Sequence, residues 1–314
     1  MSDPIAGIFR HDERRRTSAQ MLRACQHQAW LLACNNAVAK ALWFIESLYL
    51  SELTLDDVAA IAGVSKHHFV RAFALATGHS AMRYVRGRRL TEAARLLANG
   101  PPDVLAVALE FGYASHEIFV RAFRDEFGVS PESVRAQRHL DGLELVEPLR
   151  MDEARFIDLP PPRLVDGDEL LVAGVCRRHN AATAPDGIPA QWRRFASLMH
   201  RIPGRVADVT YGVRCHADEH GNLDYVCAVQ VADLAKLPAE FYRLRIAPQQ
   251  YAVFEHRANV SEVRRSFHAI WNRWLPESEL EVIDAPDFER YDDRFDPATG
   301  EGGFEIWVPV RRRR

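Results

Sequence analysis

The chain has 314 residues, with 40 Lys and Arg against 43 Asp and Glu and a formal net charge of −3. Its 47% hydrophobic content excludes a disordered chain, and its length favours two domains over one. No apolar run nears the roughly 18 residues that cross a bilayer, the first residues lack the basic-then-apolar order of a signal peptide, and five Cys without a CxxC give no disulfide framework, so a cytoplasmic protein with no membrane partner is expected.

Residues 1–35 read as an N-terminal extension, polar and then weakly amphipathic, with no assignable role. From 36 to 138 the pattern is helical, broken at Gly63, Gly78, Asn99-Gly100-Pro101-Pro102, Gly112 and Gly128. Residues 139–167 form a linker, irregular in pattern and stiffened by Pro160-Pro161-Pro162. From 168 to 311, strand-like runs appear at Leu170–Arg177, Val209–Ala217, Leu223–Val231, Tyr242–Ile246, Tyr251–His256 and Phe304–Val310. They are rich in Val, Tyr and Phe and bounded by Gly or Pro turns. Two helical stretches, near 189–202 and 261–275, interrupt them. The fold class expected is an all-α domain with two helix-turn-helix units followed by an α+β domain.

The helical half contains a repeat. Phe69-Val70-Arg71-Ala72-Phe73 and Phe119-Val120-Arg121-Ala122-Phe123 are identical at an offset of 50, while Ala59 and Gly63 pair with Ala108 and Gly112 at 49. The second turn is therefore one residue longer. Each copy has the parts of a helix-turn-helix: a small residue at the helix crossing (Ala59, Ala108), a permissive glycine, and a Ser (Ser65, Ser115) to N-cap the next helix. Phe69, Ala72 and Phe73, and their counterparts, fall at i, i+3, i+4 and mark the buried face. Left outward near the N-terminus of that helix are Lys66, His67, Val70 and Arg71 in the first copy, and His116, Glu117, Val120 and Arg121 in the second. Between the copies, Met82–Ala98 reads as one helix with Tyr84, Val85, Leu90, Ala93, Ala94 and Leu97 inward and its arginines outward. Such a rigid connector would let the two helices enter grooves about one turn, roughly 34 Å, apart.

Charge is uneven along the chain. Residues 1–140 carry 17 Lys and Arg against 14 acids, leaving −6 for the remainder. Lys66, Arg71, Arg83, Arg86, Arg88, Arg89 and Arg95 stand against Glu92 alone between 61 and 99. A phosphate-neutralising surface and an ordinary solvated helix face both carry such charge, and charge does not separate them.

Residues 36–137 resemble the DNA-binding domain of the AraC/XylS family of bacterial transcription regulators. The resemblance is carried by Ala62-Gly63-Val64-Ser65, Thr77-Gly78-His79-Ser80, Arg86-Gly87-Arg88-Arg89-Leu90-Thr91-Glu92-Ala93 and Phe127-Gly128-Val129-Ser130-Pro131. It implies double-stranded promoter DNA as partner, with RNA polymerase beyond it. It makes Lys66, His67, Val70 and Arg71 base-contact candidates, with Arg86 and the second-copy residues His116, Glu117, Val120 and Arg121 also at the DNA. A guanidinium at Arg71 can bond guanine O6 and N7 together. Val70 and Val120 stand where some relatives are polar, so base preference does not transfer.

Residues 168–310 resemble the GyrI-like effector-binding domain of Rob-type regulators. Ile188-Pro189-Ala190-Gln191-Trp192, Tyr251-Ala252-Val253-Phe254-Glu255-His256, Trp271-Asn272-Arg273-Trp274-Leu275-Pro276 and Phe304-Glu305-Ile306-Trp307-Val308-Pro309-Val310 are among the matching strings. The resemblance implies two pseudo-symmetric halves with a small-molecule cleft. Glu305, in an otherwise apolar strand, is either an exposed carboxylate or the counter-ion of a cationic ligand. Trp192, Tyr211, Phe254, Trp271 and Tyr291 are the candidate walls of an aromatic box. No cofactor or metal is expected: Cys215, His216 and His220 lack a fourth ligand, and His67-His68 lacks any others. The terminal Arg311–Arg314 run reads as a frayed tail. The function expected is a ligand-responsive transcription regulator and not an enzyme. The alternatives are a GyrI-like domain that hydrolyses a reactive drug-like compound through Glu305 and Trp307, or one that only binds another protein.

Overall fold

The computed structural model describes residues 36–100, 103–149, 157, 159–180, 183–218 and 220–313. The extension 1–35, with Cys25 and Cys34, lies outside them. The helical half runs α1 (Ala37–Leu48), α2 (Leu55–Ala62), α3 (Lys66–Thr77), α4 (Ala81–Ala98), α5 (Val104–Glu110), α6 (His116–Phe127) and α7 (Pro131–Gln137). Side-chain caps explain why these helices start where they do. Thr54 and Asp57 form a reciprocal capping box on α2, while Ser65 and Ser115 accept from His68 and Ile118 at the starts of α3 and α6. Gly63 ends α2 at φ +72, a conformation that costs an L-residue energy and glycine little. Each α2–α3 or α5–α6 unit buries its phenylalanines, Phe69 and Phe73 or Phe119 and Phe123.

The second half is one nine-stranded sheet of order β1-β6-β9-β8-β3-β4-β2-β5, with β7 pairing β9. The strands are β1 (Arg163–Gly167), β2 (Leu170–His179), β3 (Arg205–Cys215), β4 (Leu223–Val231), β5 (Tyr242–Ile246), β6 (Gln249–His256), β7 (Leu280–Val282), β8 (Asp287–Tyr291) and β9 (Phe304–Arg312). Helix α8 (Ala184–Leu198) follows β2. Helix α9 (Val263–Ala269) follows β6 and continues through a π-helical stretch, Ile270–Trp274. Strand–helix–strand–strand therefore occurs twice.

Chain connectivity forces this sheet to curl. Two residues join β1 to β2, and two join β5 to β6, a reach of about 11 Å at most. In a flat sheet each pair would stand six strand spacings apart, roughly 29 Å. The face turned inward carries Tyr211, Val213, Tyr251, Val253 and Phe288, with Trp307 packed against them. The outward face carries Phe254, Ile306 and Val308, which pack with Phe267, Ile270 and Trp271 of α9 and its π-helical extension.

That second cluster does not stop at the domain border. It is continuous with Val58, Ala59, Phe69, Phe73 and Tyr84 of the first helix-turn-helix, whereas the second keeps a separate core around Leu90, Val107, Phe119 and Phe123. One repeat is docked on the sheet domain and its twin is not.

Outside the candidate sites, the fold departs from expectation at β1, at the arginines of α4 and at the C-terminal run. Residues Arg163–Gly167, expected in the linker, pair with β6 because the inner face needs Val165 to cover Tyr251. Arg88, Arg89 and Arg95 do not stand free of partners: Arg88 pairs with Glu46 and Glu92, Arg89 donates to the carbonyls of Tyr49 and Ser51, and Arg95 pairs with Glu92 and Glu147. Arg311 and Arg312 belong to β9, and Arg313 donates to the Leu280 and Leu275 carbonyls, so the described part of the terminal run is structured.

Candidate DNA-reading and effector sites

The two recognition helices, α3 and α6, differ in what surrounds them. On α6, Glu117 and Arg121 are exposed, Val120 is half-buried, and His116 lies 3.1 Å from Glu132. Arg121 makes no ion pair among the described residues. Arg86 on α4 is half-exposed, 3.8 Å from Glu126. On α3 every base-contact candidate is engaged. Lys66 pairs with Asp56 at 3.1 Å, His67 with Asp284 at 3.3 Å, and Val70 packs into the shared core. Arg71 does not face outward: its side chain is 13% exposed, ion-paired with the buried Asp287 and 5.3 Å over the Trp271 ring. Next to it, His68 shares a 2.6 Å hydrogen bond with the Trp271 carbonyl. Burial and the neighbouring Arg313 and Arg71 charges push its pKa down to about 4. A cavity of about 300 Å³ sits beside this contact, between Gly63–Ser65 and Glu281, Val282 and Arg313.

Behind Asp287 runs a buried polar chain that the sequence reading missed. Arg214 donates to Asp287 at 2.7 Å and to Glu289 at 2.9 Å, and lies 3.7 Å over the Phe267 ring. Glu289 accepts from the hydroxyls of Tyr225 at 2.6 Å and Tyr291 at 3.2 Å, and Trp192 donates to Tyr225 at 3.1 Å. Burial with the Glu289 carboxylate holds both tyrosine hydroxyls well above their usual pKa. Gly212 makes this meeting possible, since a Cβ there would fall on the Tyr225 hydroxyl and the Glu289 carboxylate. The signal available in sequence was the alternation of Asp287, Glu289 and Tyr291 at i, i+2, i+4, three polar groups on one strand face.

The six expected effector residues divide between the two faces of the sheet. Tyr211 and Glu305 are on the inner face, while Trp192, Phe254, Trp271 and Tyr291 lie on the helix-covered side. They do not line one cleft. The Glu305 side chain is 12% exposed, accepting from Arg163 at 2.5 Å, from Arg290 at 3.4 Å and from the Trp307 indole at 2.9 Å. Trp307 stacks on Phe288 at 5.3 Å and meets Tyr251 edge-on at 5.4 Å. The Arg163 side chain over Glu305 is itself 63% exposed, on edge strand β1. A larger cavity, about 480 Å³, lies elsewhere, between α8 and β5, and none of the six lines it.

Cys215 and His216 gather with Asp224 rather than His220, their ligand atoms within 4.8 Å of one another. The Arg178 guanidinium already occupies Asp224 at 3.0 Å, and burial pushes the Cys215 thiol up to about 12. A metal ion there would compete with the Arg178 guanidinium for Asp224. No helix among the described residues is long and apolar enough to cross a membrane.

Comparison with known proteins agrees with this two-part construction. Residues 58–137 match a helix-turn-helix domain model, and residues 160–311 match the GyrI-like small molecule binding domain. The right origin-binding protein of Escherichia coli K12 is 26% identical over 272 residues, covering 83% of this chain and 93% of that protein. The multiple antibiotic resistance protein MarA of Salmonella typhimurium is 36% identical over 92 residues, 29% of this chain and 72% of MarA. A solved structure of a protein bound to tetraphenylphosphonium, 24% identical, aligns over 48% of this chain and 93% of its own, with a TM-score of 0.40. The chain therefore belongs to the AraC/XylS family of DNA-binding transcription regulators, with a GyrI-like small-molecule-binding domain as its C-terminal half.

Proposed function

We propose that the regulator reads promoter DNA with the N-terminal residues of α3 and α6 and answers to an organic cation held over the inner face at Glu305. Lys66, His67, Val70 and Arg71, with Arg86, His116, Glu117, Val120 and Arg121, are the DNA-facing set in this reading, and residues 36–138 and 168–311 its two working domains. RNA polymerase is the further partner that a promoter-bound regulator addresses.

One observation carries the effector reading. Glu305 is a nearly buried carboxylate flanked by Trp307, Phe288 and Tyr211, and its nearest counter-charge is a solvent-exposed arginine on an edge strand. An exposed side chain leaves cheaply, and an aromatic cation can then replace its charge while its rings pack on the aromatic side chains. Glu305 is a counter-ion in this reading, its oxygens accepting from Arg163, Arg290 and the Trp307 indole.

Calorimetric titration of the full chain with tetraphenylphosphonium, used as an aromatic cation, tests this. Glu305→Gln is expected to weaken binding about tenfold or more, and Arg163→Ala to strengthen it. Equal affinity in all three proteins rejects the site. On the DNA side, selection from a random duplex pool with the wild type and Arg71→Ala is expected to show lost preference at one guanine with little change in salt dependence.

A further inference from the structure

The chain joins its most specific DNA-reading candidate to its own effector domain. We propose that the Arg71–Asp287 ion pair is a latch that holds α3 away from DNA, and that strand β8 connects this latch to the effector face. The inference rests on the DNA-reading role assigned to α3 above.

Three features carry it. First, the contact is built and buried: the Asp287 side chain is 1% exposed, Arg71 13%, and the Trp271 ring lies under the guanidinium. A carboxylate presents two acceptors to that guanidinium, as O6 and N7 of guanine do, so Asp287 occupies the group the base would take. Second, docking is confined to one copy of a repeat whose recognition helices share the string Phe-Val-Arg-Ala-Phe. The twin arginine, Arg121, is exposed, and the α5–α6 core does not extend to the sheet. Third, β8 alternates: Phe288 and Arg290 face inward beside Trp307 and Glu305, while Asp287 and Glu289 face α3 and α9. Arg290 pairs with Glu305 at 3.4 Å, so a ligand that displaces Arg163 from Glu305 changes the charge facing the same five-residue strand that holds Arg71.

A ligand shifts such an equilibrium only through different affinities for the latched and open states, and the coupling is reciprocal. The latched fraction also reduces apparent DNA affinity in proportion.

The experiment measures binding of full-length protein to a duplex recovered by selection from a random pool, alongside acrylamide quenching of Trp271. Trp271 emission is obtained by subtracting the Trp271→Phe signal. Asp287→Asn is expected to bind the same duplex at least about tenfold more tightly than the wild type, with the same base preference. In the wild type, Trp271 is expected to become accessible to quencher when DNA binds. If folded Asp287→Asn binds no more tightly, or if Trp271 stays shielded in the DNA complex, the latch is refuted. Should Asp287→Asn fail to fold, the wild-type quenching result decides alone. Loss of the DNA-reading role is read separately: Arg71→Ala would leave base preference intact while Asp287→Asn still changed affinity.

Discussion

Acidification should selectively weaken the α3–sheet contact through His68. Its imidazole is 3% exposed, bonded to the Trp271 carbonyl, and held by burial at a pKa of about 4, against 6.5 when free. A base whose folded pKa is lowered contributes stability that is complete above 6.5 and is lost as pH falls toward 4. Linkage over these two values gives a loss of about 2 kcal/mol between pH 7 and pH 5. Carboxylates elsewhere contribute their own pH dependence, so a reference is needed. His68→Gln keeps an amide able to donate to the Trp271 carbonyl but does not titrate. Urea unfolding of both proteins at pH 7 and pH 5, followed by tryptophan fluorescence, isolates the imidazole. The wild type should lose about 2 kcal/mol more than His68→Gln across that interval. Equal losses would mean that His68 takes up its proton in the folded state, and the account of its burial would fail.

Gly212→Ala places a methyl group where Tyr225 and Glu289 meet. It should destabilise the sheet domain by about 1–3 kcal/mol, measured by thermal melting, because the hydrogen bond must break or β3 must shift. Arg88→Ala removes the 4%-exposed guanidinium that Glu46 and Glu92 share and that also donates to the Val146 carbonyl at 2.8 Å. A cost of about 1–3 kcal/mol in denaturant unfolding is expected, because Glu46 loses its charged partner while Glu92 keeps Arg95. Arg121→Ala, at an exposed residue of α6, should reduce the slope of log K against log salt by about 1 if the guanidinium meets a phosphate. An unchanged slope would remove Arg121 from the interface.

The local parts of the fold were readable because they are fixed by local chemistry. Ser65 and Ser115 cap the predicted helices, and Phe69, Phe73, Phe119 and Phe123 are buried where the i, i+3, i+4 spacing placed them. The strands at Leu223–Val231 and Tyr242–Ile246 have the expected bounds. What escaped reading depends on partners distant in sequence. Arg88 and Arg89 look like solvated arginines on a helix, and only Glu46, Tyr49 and Val146, about forty to sixty positions away, turn them inward. Strand β8 reads Asp-Phe-Glu-Arg-Tyr, too charged for a buried strand unless Arg214 and Tyr225 wait across the sheet. Aromaticity and resemblance mark the expected effector residues, and neither says which sheet face a side chain takes. Strand parity assigns Glu305 and Trp307 to one face and Tyr291 to the other only once the register of β8 against β9 is known.

The curl of the sheet has a consequence for solubility. A sheet with long, flat margins invites another chain to add a strand, and β-rich domains must blunt that hazard. Here the two outermost strands, β1 and β5, are five residues each and carry Arg163, Asp166, Arg243 and Arg245. Their two-residue connections tie each of them back to the opposite margin. Little margin is left for a stranger to template on.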